Sequence, residues 1–584
     1  MPTFADSVIV TAAGEEQAVP EVAAAFTLID REGIAASGAV TVAELLRRVP
    51  GSVVLRSGLD NGVTTLFVRG TGSAHTLVLL DGVRLNSPFF GGYDWSLPVA
   101  AGIGRIEVVR GPYSALWGAD AVGGVVQLLS VQGQQDHLRV LGEAGPGGWQ
   151  RAEVGARVTL GRLDLTASAL QRQGSGSLEN DDFSSRATLV DLGWRFGDRG
   201  RVALLLNRTD TRTEIPFSGA LPTPRRSTAA AETLVAAPLR LRLGGGSELE
   251  VTLAHVERRM TFRDPDDPFG FIASDTDAGS DSARAAYHLS WGRHHLIAGG
   301  EWRRDEVTDG SNWGTNLAGR ALTTRSLFLQ DRFALGAGWG LLGGVRWDGT
   351  SAWGSRLSPR ATLSWQAAAL RSWVSFGKAF RAPALGELYY PFSGNPALEP
   401  ELSRAGELGV ALPLASGRSS LQLVAFSNRI VDLVDFDYAA FRFANTARAA
   451  QDGIEASLMI PVTARAGLAL ALTYLDARDG AGNALLRRPE WSGAATLRGP
   501  LAGSASGELS LIWVGRRQDL DPVTYTRAGQ PGFATASAAL AAPLSDWLTL
   551  RLRAENLANR SYQEIRGYPA PGRRLFAGLE LATR

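Results

Sequence analysis

Strict alternation of apolar and polar residues, repeated in long segments, is the property that most constrains the fold of this chain. Residues 162–169 place Leu or Ala at every second position and Arg, Asp, Thr or Ser between them. The same period of two returns at residues 508–513 and 548–553. Because successive side chains of a β-strand point to opposite faces, each segment predicts a strand with one apolar and one polar face. Such strands, repeated to the end of the chain, suit a closed sheet with lipid outside and a polar interior.

A large soluble β-sandwich or propeller is the alternative to a membrane barrel. It would turn the apolar faces inward and leave the Arg and Asp faces in solvent, but no blade-length repeat is visible. No apolar run approaches the roughly 20 residues that a membrane helix needs. Roughly 450 residues follow residue 136, and at about 20 residues per strand and loop they predict about 22 strands.

The N-terminal part has a different pattern, which predicts a compact α/β unit over residues 23–130. Thr41 with Glu44 matches a capping box for a short helix that Pro50 ends. Strands are predicted at residues 26–29, 52–56, 65–69 and 76–80, the last followed by an Asp-Gly turn. Residues 104–130 form a further strand-turn-strand unit that needs surroundings to pack against. A barrel of about 22 strands has a lumen wide enough to hold such a unit.

The sequence thus predicts an all-β transmembrane barrel of about 22 antiparallel strands with an N-terminal α/β plug domain inside the lumen. The predicted boundaries are an N-terminal segment at residues 1–20, the plug at 21–135 and the barrel at 136–584. Residues 6–12 form a short extended segment suited to pairing with a free sheet edge, although a terminal strand of the plug is the alternative. The N-terminus lacks the basic and apolar regions of a signal peptide, so we expect the exported start to lie upstream of Met1.

Composition excludes several classes of function. The chain has no Cys, so it forms neither disulfides nor thiolate metal sites. Its 59 basic and 58 acidic residues give a net charge of +1, which predicts no attraction to nucleic acid. None of its six His residues has a supporting catalytic motif beside it, so the chain is not expected to be an enzyme. A passive porin is disfavoured because the plug would block its lumen.

Short motifs in a fixed order carry a resemblance to a known family. They are residues 67–70 (FVRG), 78–83 (VLLDGV), 106–112 (IEVVRGP), 380–383 (FRAP), 394–396 (GNP), 398–401 (LEPE), 453–455 (GIE) and 555–557 (ENL). Over essentially its whole length the chain resembles the TonB-dependent outer-membrane receptors. Residues 6–12 look like the TonB box of that family, especially in the form found in cobalamin receptors.

This resemblance implies active import of a scarce, large ligand across the bacterial outer membrane. The expected partners are TonB with its inner-membrane energising complex, outer-membrane lipid and the ligand; the chain is expected to be a monomer that needs no cofactor. Length, box and plug motifs imply cobalamin or a related corrinoid, with a ferric siderophore as the alternative. The residues expected to bind TonB are Asp6, Ser7, Val8, Ile9, Val10, Thr11 and Ala12.

The resemblance also implies a set of site residues. Arg69 and Arg110 of the plug are expected to face Glu407 and Glu455 of the barrel wall as a latch, with exposure to lumen water as the alternative. By position in the plug loops, the expected ligand contacts are Asn61, Thr64, Thr65, Asn86, Ser87, Phe89, Phe90, Tyr93 and Trp95. Those aromatic residues are equally suited to contact with enclosing protein. An acidic loop predicts calcium ligands at Glu179, Asp181 and Asp182, unless these side chains are simply solvated.

Overall fold

The N-terminal part of the chain forms the predicted α/β unit. A computed structural model describes residues 8–9, 11–12, 14–15, 17–18, 21–58, 60–97, 100–131, 136–176, 178–218, 221–367, 370–414, 419–437, 440–463 and 465–583. The elements of the N-terminal part are β1 (Val8–Ile9), β2 (Gln17–Ala18), β3 (Phe26–Ile29), α1 (Arg31–Ser37), α2 (Val42–Leu46), β4 (Ser52–Arg56), β5 (Thr64–Val68), a 3₁₀ turn (Ser73–His75), β6 (Thr76–Leu80), β7 (Val83–Arg84), β8 (Ile103–Arg110), α3 (Ser114–Trp117) and β9 (Gly124–Ser130).

A five-stranded sheet in the order β3-β8-β9-β6-β7 forms the centre of this plug, and β4 and β5 form a separate hairpin. Helix α1 begins after Asp30, whose side chain accepts a hydrogen bond from the N–H of Gly33 at 2.7 Å, and ends at Gly38 in a left-handed conformation. The predicted capping box at Thr41 is wrong in its geometry. The Thr41 hydroxyl donates to Glu44 instead of accepting a helix N–H, and Glu44 also accepts from the N–H of Val40.

The alternating segments form the predicted barrel of 22 antiparallel strands, closed by pairing of its first and last strands. The barrel strands are β10 (His137–Ala144), β11 (Gln150–Leu160), β12 (Leu163–Gly174), β13 (Phe183–Arg195), β14 (Gly200–Glu214), β17 (Ser227–Gly244), β18 (Ser247–Arg263), β19 (Ala273–Trp291), β20 (His294–Ser311), β21 (Gly314–Gly336), β22 (Trp339–Thr350), β23 (Gly354–Ala367), β24 (Leu370–Arg381), β25 (Glu401–Leu414), β26 (Ser419–Asp437), β27 (Arg442–Pro461), β28 (Gly467–Asp479), β29 (Trp491–Pro500), β30 (Ser506–Val514), β33 (Phe533–Pro543), β34 (Leu548–Glu555) and β35 (Arg574–Ala582).

Further short elements lie in the connections between barrel strands. They are β15 (Phe217–Ser218), β16 (Leu221–Pro222), a 3₁₀ turn (Gly197–Arg199), α4 (Leu385–Tyr389), β31 (Arg517–Leu520) and β32 (Arg527–Gln530). Connections at one end of the barrel are short, such as residues 161–162 and 292–293, whereas those at the other end include residues 382–400 and 556–573. Short turns face the periplasm and longer loops face outward in barrels of this type, which orients the molecule.

The two faces of the barrel wall differ as the alternation predicts. On β12, Leu163 and Leu165 are exposed on the outer surface, while Asp164 and Thr166 are buried in the lumen. Exposed aromatic rings form belts at both membrane boundaries. The periplasmic belt includes Trp194, Trp291, Trp339 and Trp547, and the outer belt includes Tyr474, Trp491 and Trp513. In the described part of the chain, no helix has the length and apolar character that a membrane crossing needs.

The barrel wall varies in length around its circumference. Strands β19, β20 and β21 have 19, 18 and 23 residues, whereas β30, β34 and β35 have nine, eight and nine. A spanning strand needs about 10 residues. Because the periplasmic turns are short throughout, the additional residues of the long strands project outward above the membrane.

The predicted Asp-Gly turn joins β6 to β7. Asp81 and Gly82 both have positive φ angles, 46° and 84°, as a type I′ turn requires. One oxygen of Asp81 accepts from the N–H of Ser130 at 3.0 Å, and the other is buried without a hydrogen-bond partner among the described residues. Burial of this carboxyl raises the pKa of Asp81 to about 6.

We predict that Asp81→Asn makes the plug more stable than wild type at pH 7 and equal to it at pH 4. The folded-state pKa is raised above the unfolded value of about 4, so ionised Asp81 destabilises the plug increasingly between about pH 4 and 6, by about 1–3 kcal/mol. Urea unfolding of the plug at a series of pH values measures the difference. Asp198→Asn, at an exposed turn, is the control, and an equally pH-dependent gain there contradicts the assignment.

Candidate functional site

Four buried charged residues join the plug to the barrel wall. Arg69 donates to both oxygens of Glu455, from Nε at 2.8 Å and from Nη2 at 3.0 Å, and from Nη1 to Glu407 at 2.8 Å. Arg110 donates from Nε to Glu455 at 3.0 Å. The structure thus brings together the four residues of the expected latch, and each side chain is 5% exposed or less.

The backbone around the latch is shaped to bring these charges together. Arg69 has a left-handed backbone with φ of 51°, which is uncommon for a residue other than Gly, and its N–H donates to the carbonyl of Gly51 at 2.6 Å. A Cβ atom on Gly51 would lie 2.2 Å from Glu455 Oε1, so only Gly fits there. Burial disfavours the charge on Arg69, but Glu455 and Glu407 outweigh it and raise the Arg69 pKa above its ordinary value.

Arg110 connects the latch to the N-terminal edge of the plug sheet. Its Nη1 donates to the hydroxyl of Thr27 at 2.7 Å and its Nη2 to the carbonyl of Phe26 at 3.4 Å, both on β3. Glu407 is in turn fixed by the indole N–H of Trp373 at 2.8 Å. A movement of β3 therefore changes the hydrogen bonding of the latch directly.

Four of the seven expected TonB-box residues are described, and they lie at the periplasmic end of the plug. Val8 and Ile9 pair with Ala18 and Gln17 in a two-stranded ribbon. The N–H and hydroxyl of Thr11 donate to Glu107 at 2.9 and 2.6 Å, and its carbonyl accepts from the indole of Trp117 at 3.1 Å. Ala12 is buried in the plug. Asp6, Ser7 and Val10 lie outside the described residues.

The nine expected ligand residues differ in their access to solvent. Phe90 is 38% exposed, and Phe89 and Thr65 are partly buried. The other six are buried in this conformation: Asn61, Thr64, Asn86, Ser87, Tyr93 and Trp95. Asn86 supports its own loop by bonding the N–H of Val78 and the carbonyls of Thr76 and Gly91. Contact of the nine with a ligand stays a prediction, and Phe90 is the most open of them.

An outer loop is bonded to the plug at this position. Helix α4 donates two N–H groups, of Leu385 and Gly386, to the carbonyls of Pro88 and Phe89 at 2.9 and 3.0 Å. The ring of Phe89 lies 6.2 Å from that of Tyr390. The sequence motif around residue 380 was recognised, but its contact with the plug loop was not predicted.

Further ion pairs between plug and barrel were missed by the sequence analysis. Arg47 pairs with Glu564 at 2.7 Å, Arg48 pairs with Glu508, and His75 contacts Glu401 at 2.5 Å. Asp60 pairs with Arg574 at 2.6 Å; although burial opposes its charge, Arg574 and Arg56 hold the pKa of Asp60 well below its usual value. The adjacent Arg47 and Arg48 are the sequence signal that could have indicated these ion pairs.

The predicted calcium residues do not form a cluster. Asp181 accepts from the N–H groups of Gly176 and Leu178 at 2.8 and 2.6 Å, which orders its own loop. Across the described ranges, no three His, Cys, Asp or Glu side chains come together in a way that could hold a metal ion. Calcium at Glu179, Asp181 and Asp182 stays a prediction.

A closed barrel whose lumen is filled by a domain held through buried ion pairs defines a plugged outer-membrane receptor. Two family models match the chain: TonB dependent receptor-like, beta-barrel, at residues 138–557, and TonB-dependent Receptor Plug Domain, at residues 18–125. The chain belongs to the TonB-dependent receptors, and it lies in the outer membrane. The family and its solved members described next are transport receptors.

Solved structures share this fold at low sequence identity. The siderophore receptor PiuA from Acinetobacter baumannii is similar with a TM-score of 0.82 and 16% identity over all of both chains. The ferripyoverdine receptor of Pseudomonas aeruginosa, bound to ferripyoverdine, has a TM-score of 0.85 and 15% identity over all of this chain and 89% of the other. The ferric-catecholate import receptor Fiu from Escherichia coli K12 has a TM-score of 0.83 and 13% identity over all of both chains.

We predict that Glu455→Gln weakens attachment of the plug by about 3–5 kcal/mol, because two buried guanidinium groups then share one remaining carboxylate. Urea titration of purified receptor, followed by the fluorescence of the buried plug residues Trp95 and Trp117, measures the loss. Asp210→Asn is the control, since the Arg208–Asp210 pair is exposed and is worth at most about 1 kcal/mol. Equal losses in both variants would show that the latch does not hold the plug.

Proposed function

We propose that this receptor imports a ferric siderophore across the outer membrane. The observation that carries the proposal is the composition of the outer mouth, where aromatic and Arg side chains surround the plug loop. Phe90 is open, Phe89 faces Tyr390, and the guanidinium of Arg320 lies 5.3 Å above the ring of Tyr389. Rings and guanidinium groups of this kind suit an aromatic or anionic chelate through stacking and cation–π contacts.

The solved receptors support the same ligand class. One is named as a siderophore receptor, one contains bound ferripyoverdine and one is named for ferric-catecholate import. These similarities extend over essentially the whole chain. A ligand beside Phe89 and α4 would lie where two backbone hydrogen bonds join the outer loop to the plug. Its binding would therefore affect the outer loop and the plug together.

Cobalamin is the second candidate, favoured by the sequence of residues 6–12 and by the chain length of 584 residues. These properties describe the energising segment and the overall size of the receptor. The residues of the outer mouth are placed to contact the ligand itself. Their composition therefore carries more weight than residues 6–12 or the chain length, and we prefer the ferric chelate.

Import requires energy because the plug fills the lumen. In the proposed cycle, ligand binding outside releases the segment that contains Val8 and Thr11, and this segment then adds a strand to TonB. Hydrogen bonds of Thr11 with Glu107 and Trp117 hold this segment against the plug, and they would have to break for its release. No bond of the ligand is made or broken.

The test is a binding titration of the purified receptor with ferric enterobactin, ferripyoverdine and cyanocobalamin. Submicromolar binding of a ferric chelate, without binding of cyanocobalamin, supports the proposal. Submicromolar binding of cyanocobalamin alone overturns it in favour of the second candidate. Including calcium or a chelator of calcium in parallel titrations tests the acidic loop at the same time.

We predict that Phe90→Ser raises the Kd for the bound chelate about tenfold, because it removes the most exposed ring of the plug loop. Phe196→Ser is a matched control, since Phe196 is 42% exposed but lies at a periplasmic turn. Isothermal titration measures both values. An unchanged Kd for the Phe90 variant would place the ligand elsewhere in the mouth.

We predict that Val8→Pro abolishes energised uptake and leaves ligand binding unchanged, because proline removes a backbone donor from the segment that pairs with TonB. Uptake of the radiolabelled chelate by cells and binding by isolated membranes are measured side by side. Val8→Ala keeps the backbone N–H and should retain uptake. Normal uptake by the proline variant would refute the role of this segment.

A further inference from the structure

One side of the plug is packed against an apolar part of the barrel wall. The core of the plug is continuous with inward side chains of β13, β14, β17 and β18. We call this the apolar wall; it consists of Leu189, Leu205, Leu234, Ala236, Ala254 and Val256. The gap between plug and apolar wall is a cavity of only about 20 Å³, whose lining includes Leu80, Leu85 and Leu189 together with polar side chains such as Thr209 and Glu232.

A different side of the plug faces a polar wall across a larger cavity. This polar wall belongs to β30, β33 and β34 and consists of Glu508, Ser510, Thr535, Ser537 and Glu555. The cavity has about 140 Å³, room for about five water molecules. Plug residues from α1, α2 and β4 line it, and it extends from Asn61 near the outer mouth to Ser37 near the periplasmic end.

Charged contacts bridge this cavity. Arg47 and Arg48 of the plug reach Glu564 and Glu508 of the barrel. Four buried polar atoms at the cavity have no hydrogen-bond partner among the described residues: Arg56 Nε, Arg172 Nε, Ser510 Oγ and Arg553 Nη2. Buried polar atoms of this kind are normally satisfied by water, so the polar wall suits a hydrated interface.

The two walls differ in the free energy that is needed to separate them from the plug. Exposing apolar surface to water costs about 25 cal/mol per Å², and the apolar wall meets the plug in a continuous cluster. At the polar wall the charged groups border a cavity, so water can take over their hydrogen bonds as the plug and the wall separate. The plug should therefore separate from the polar wall first.

The order of the plug elements along the chain also favours opening at the polar wall. A pull on the N-terminal segment reaches β3, an edge strand that pairs over four residues with β8 alone. The next elements along the chain are α1 and α2, which line the polar cavity. The strands that follow, β6, β8 and β9, form the centre of the sheet, and they join the inner faces of α1 and α2 in the core that packs on the apolar wall.

We propose that the imported ligand passes between the plug segment of α1, α2 and β4 and the polar wall, while the apolar wall keeps the rest of the plug seated. The proposal rests on TonB-driven import as proposed above and adds the side of the barrel on which the path opens. Its lining of Arg, Glu, Ser and Thr side chains suits a polar, hydrogen-bonding solute such as a siderophore.

The first test needs no ligand and uses the absence of Cys in the natural chain. Ser537→Cys places a thiol on the polar wall and Ala236→Cys places one on the apolar wall. In purified receptor, a small charged methanethiosulfonate reagent is expected to modify Cys at position 537 at least tenfold faster than at position 236. Equal rates, or a faster reaction at position 236, would overturn the difference between the walls.

The second test fixes each wall to the plug with a disulfide. A Cβ on Gly38 would lie 3.4 Å from that of Ala539, and a Cβ on Gly102 would lie 3.3 Å from that of Leu189, close to the spacing of a disulfide. Both glycines are left-handed, with φ of 65° and 76°, and a Cβ on Gly102 would also lie 2.2 Å from Oγ of Ser168. Gly38→Cys with Ala539→Cys is therefore paired with Gly102→Cys and Leu189→Cys in a chain that also carries Ser168→Ala. Each reduced protein is the control for its own oxidised form.

Energised cells are assayed for uptake of whichever of ferric enterobactin, ferripyoverdine or cyanocobalamin the titration shows to bind. The oxidised tether at the polar wall should lower uptake at least tenfold with binding intact, and reduction should restore it, while the apolar-wall tether leaves uptake unchanged. The proposed path would be overturned if both oxidised tethers lowered uptake, if neither did, or if only the apolar-wall tether did. If none of the three probes binds, the proposed function fails, and the thiol modification rates alone decide between the walls.

Discussion

Within a lipid bilayer no water satisfies a backbone N–H or C=O group, so a sheet persists there only when both of its edges are paired. This chain meets the constraint by pairing β10 with β35. Closure of 22 strands leaves a wide lumen, and the polar residues that alternate with the lipid-facing ones all point into it. The plug fills this space, and its arginines form ion pairs with carboxylates of the barrel. Barrel closure thus explains both why a plug is present and why ion pairs hold it.

The local part of this structure was predictable from the sequence. Alternation predicts the barrel strands because lipid and lumen impose opposite demands on successive side chains. The Asp81-Gly82 turn follows from the positive φ angles that a tight hairpin needs. The capping box at Thr41 was wrong because its hydroxyl found a carboxylate acceptor in Glu44. Such competition depends on rotamers, which the spacing of residue types does not determine.

Contacts between plug and wall could not be predicted from residue patterns. Arg47 and Glu564 are 517 positions apart, and Arg69 and Glu455 are 386 apart, so no local signal joins them. The four latch residues came from the resemblance to a family, which supplied positions but not bond geometry. Likewise, Tyr93 and Trp95 were expected at the ligand because their loop is rich in aromatic residues, yet both are buried, and Arg258 of the barrel lies over the ring of Tyr93. Burial of a loop side chain depends on the wall that packs over it.

The unequal strand lengths give the receptor an uneven outer rim. Strands β19 to β21 exceed β30, β34 and β35 by about ten residues, which at about 3.3 Å per residue and a tilt near 40° is a height difference of about 25 Å. The low part of the rim lies above the polar wall. A solute that diffuses along the cell surface meets the outer connections 515–532 and 556–573 there but no projecting strands, whereas the long strands form a barrier that returns it to the mouth. Capture by this receptor would therefore depend on the direction of approach.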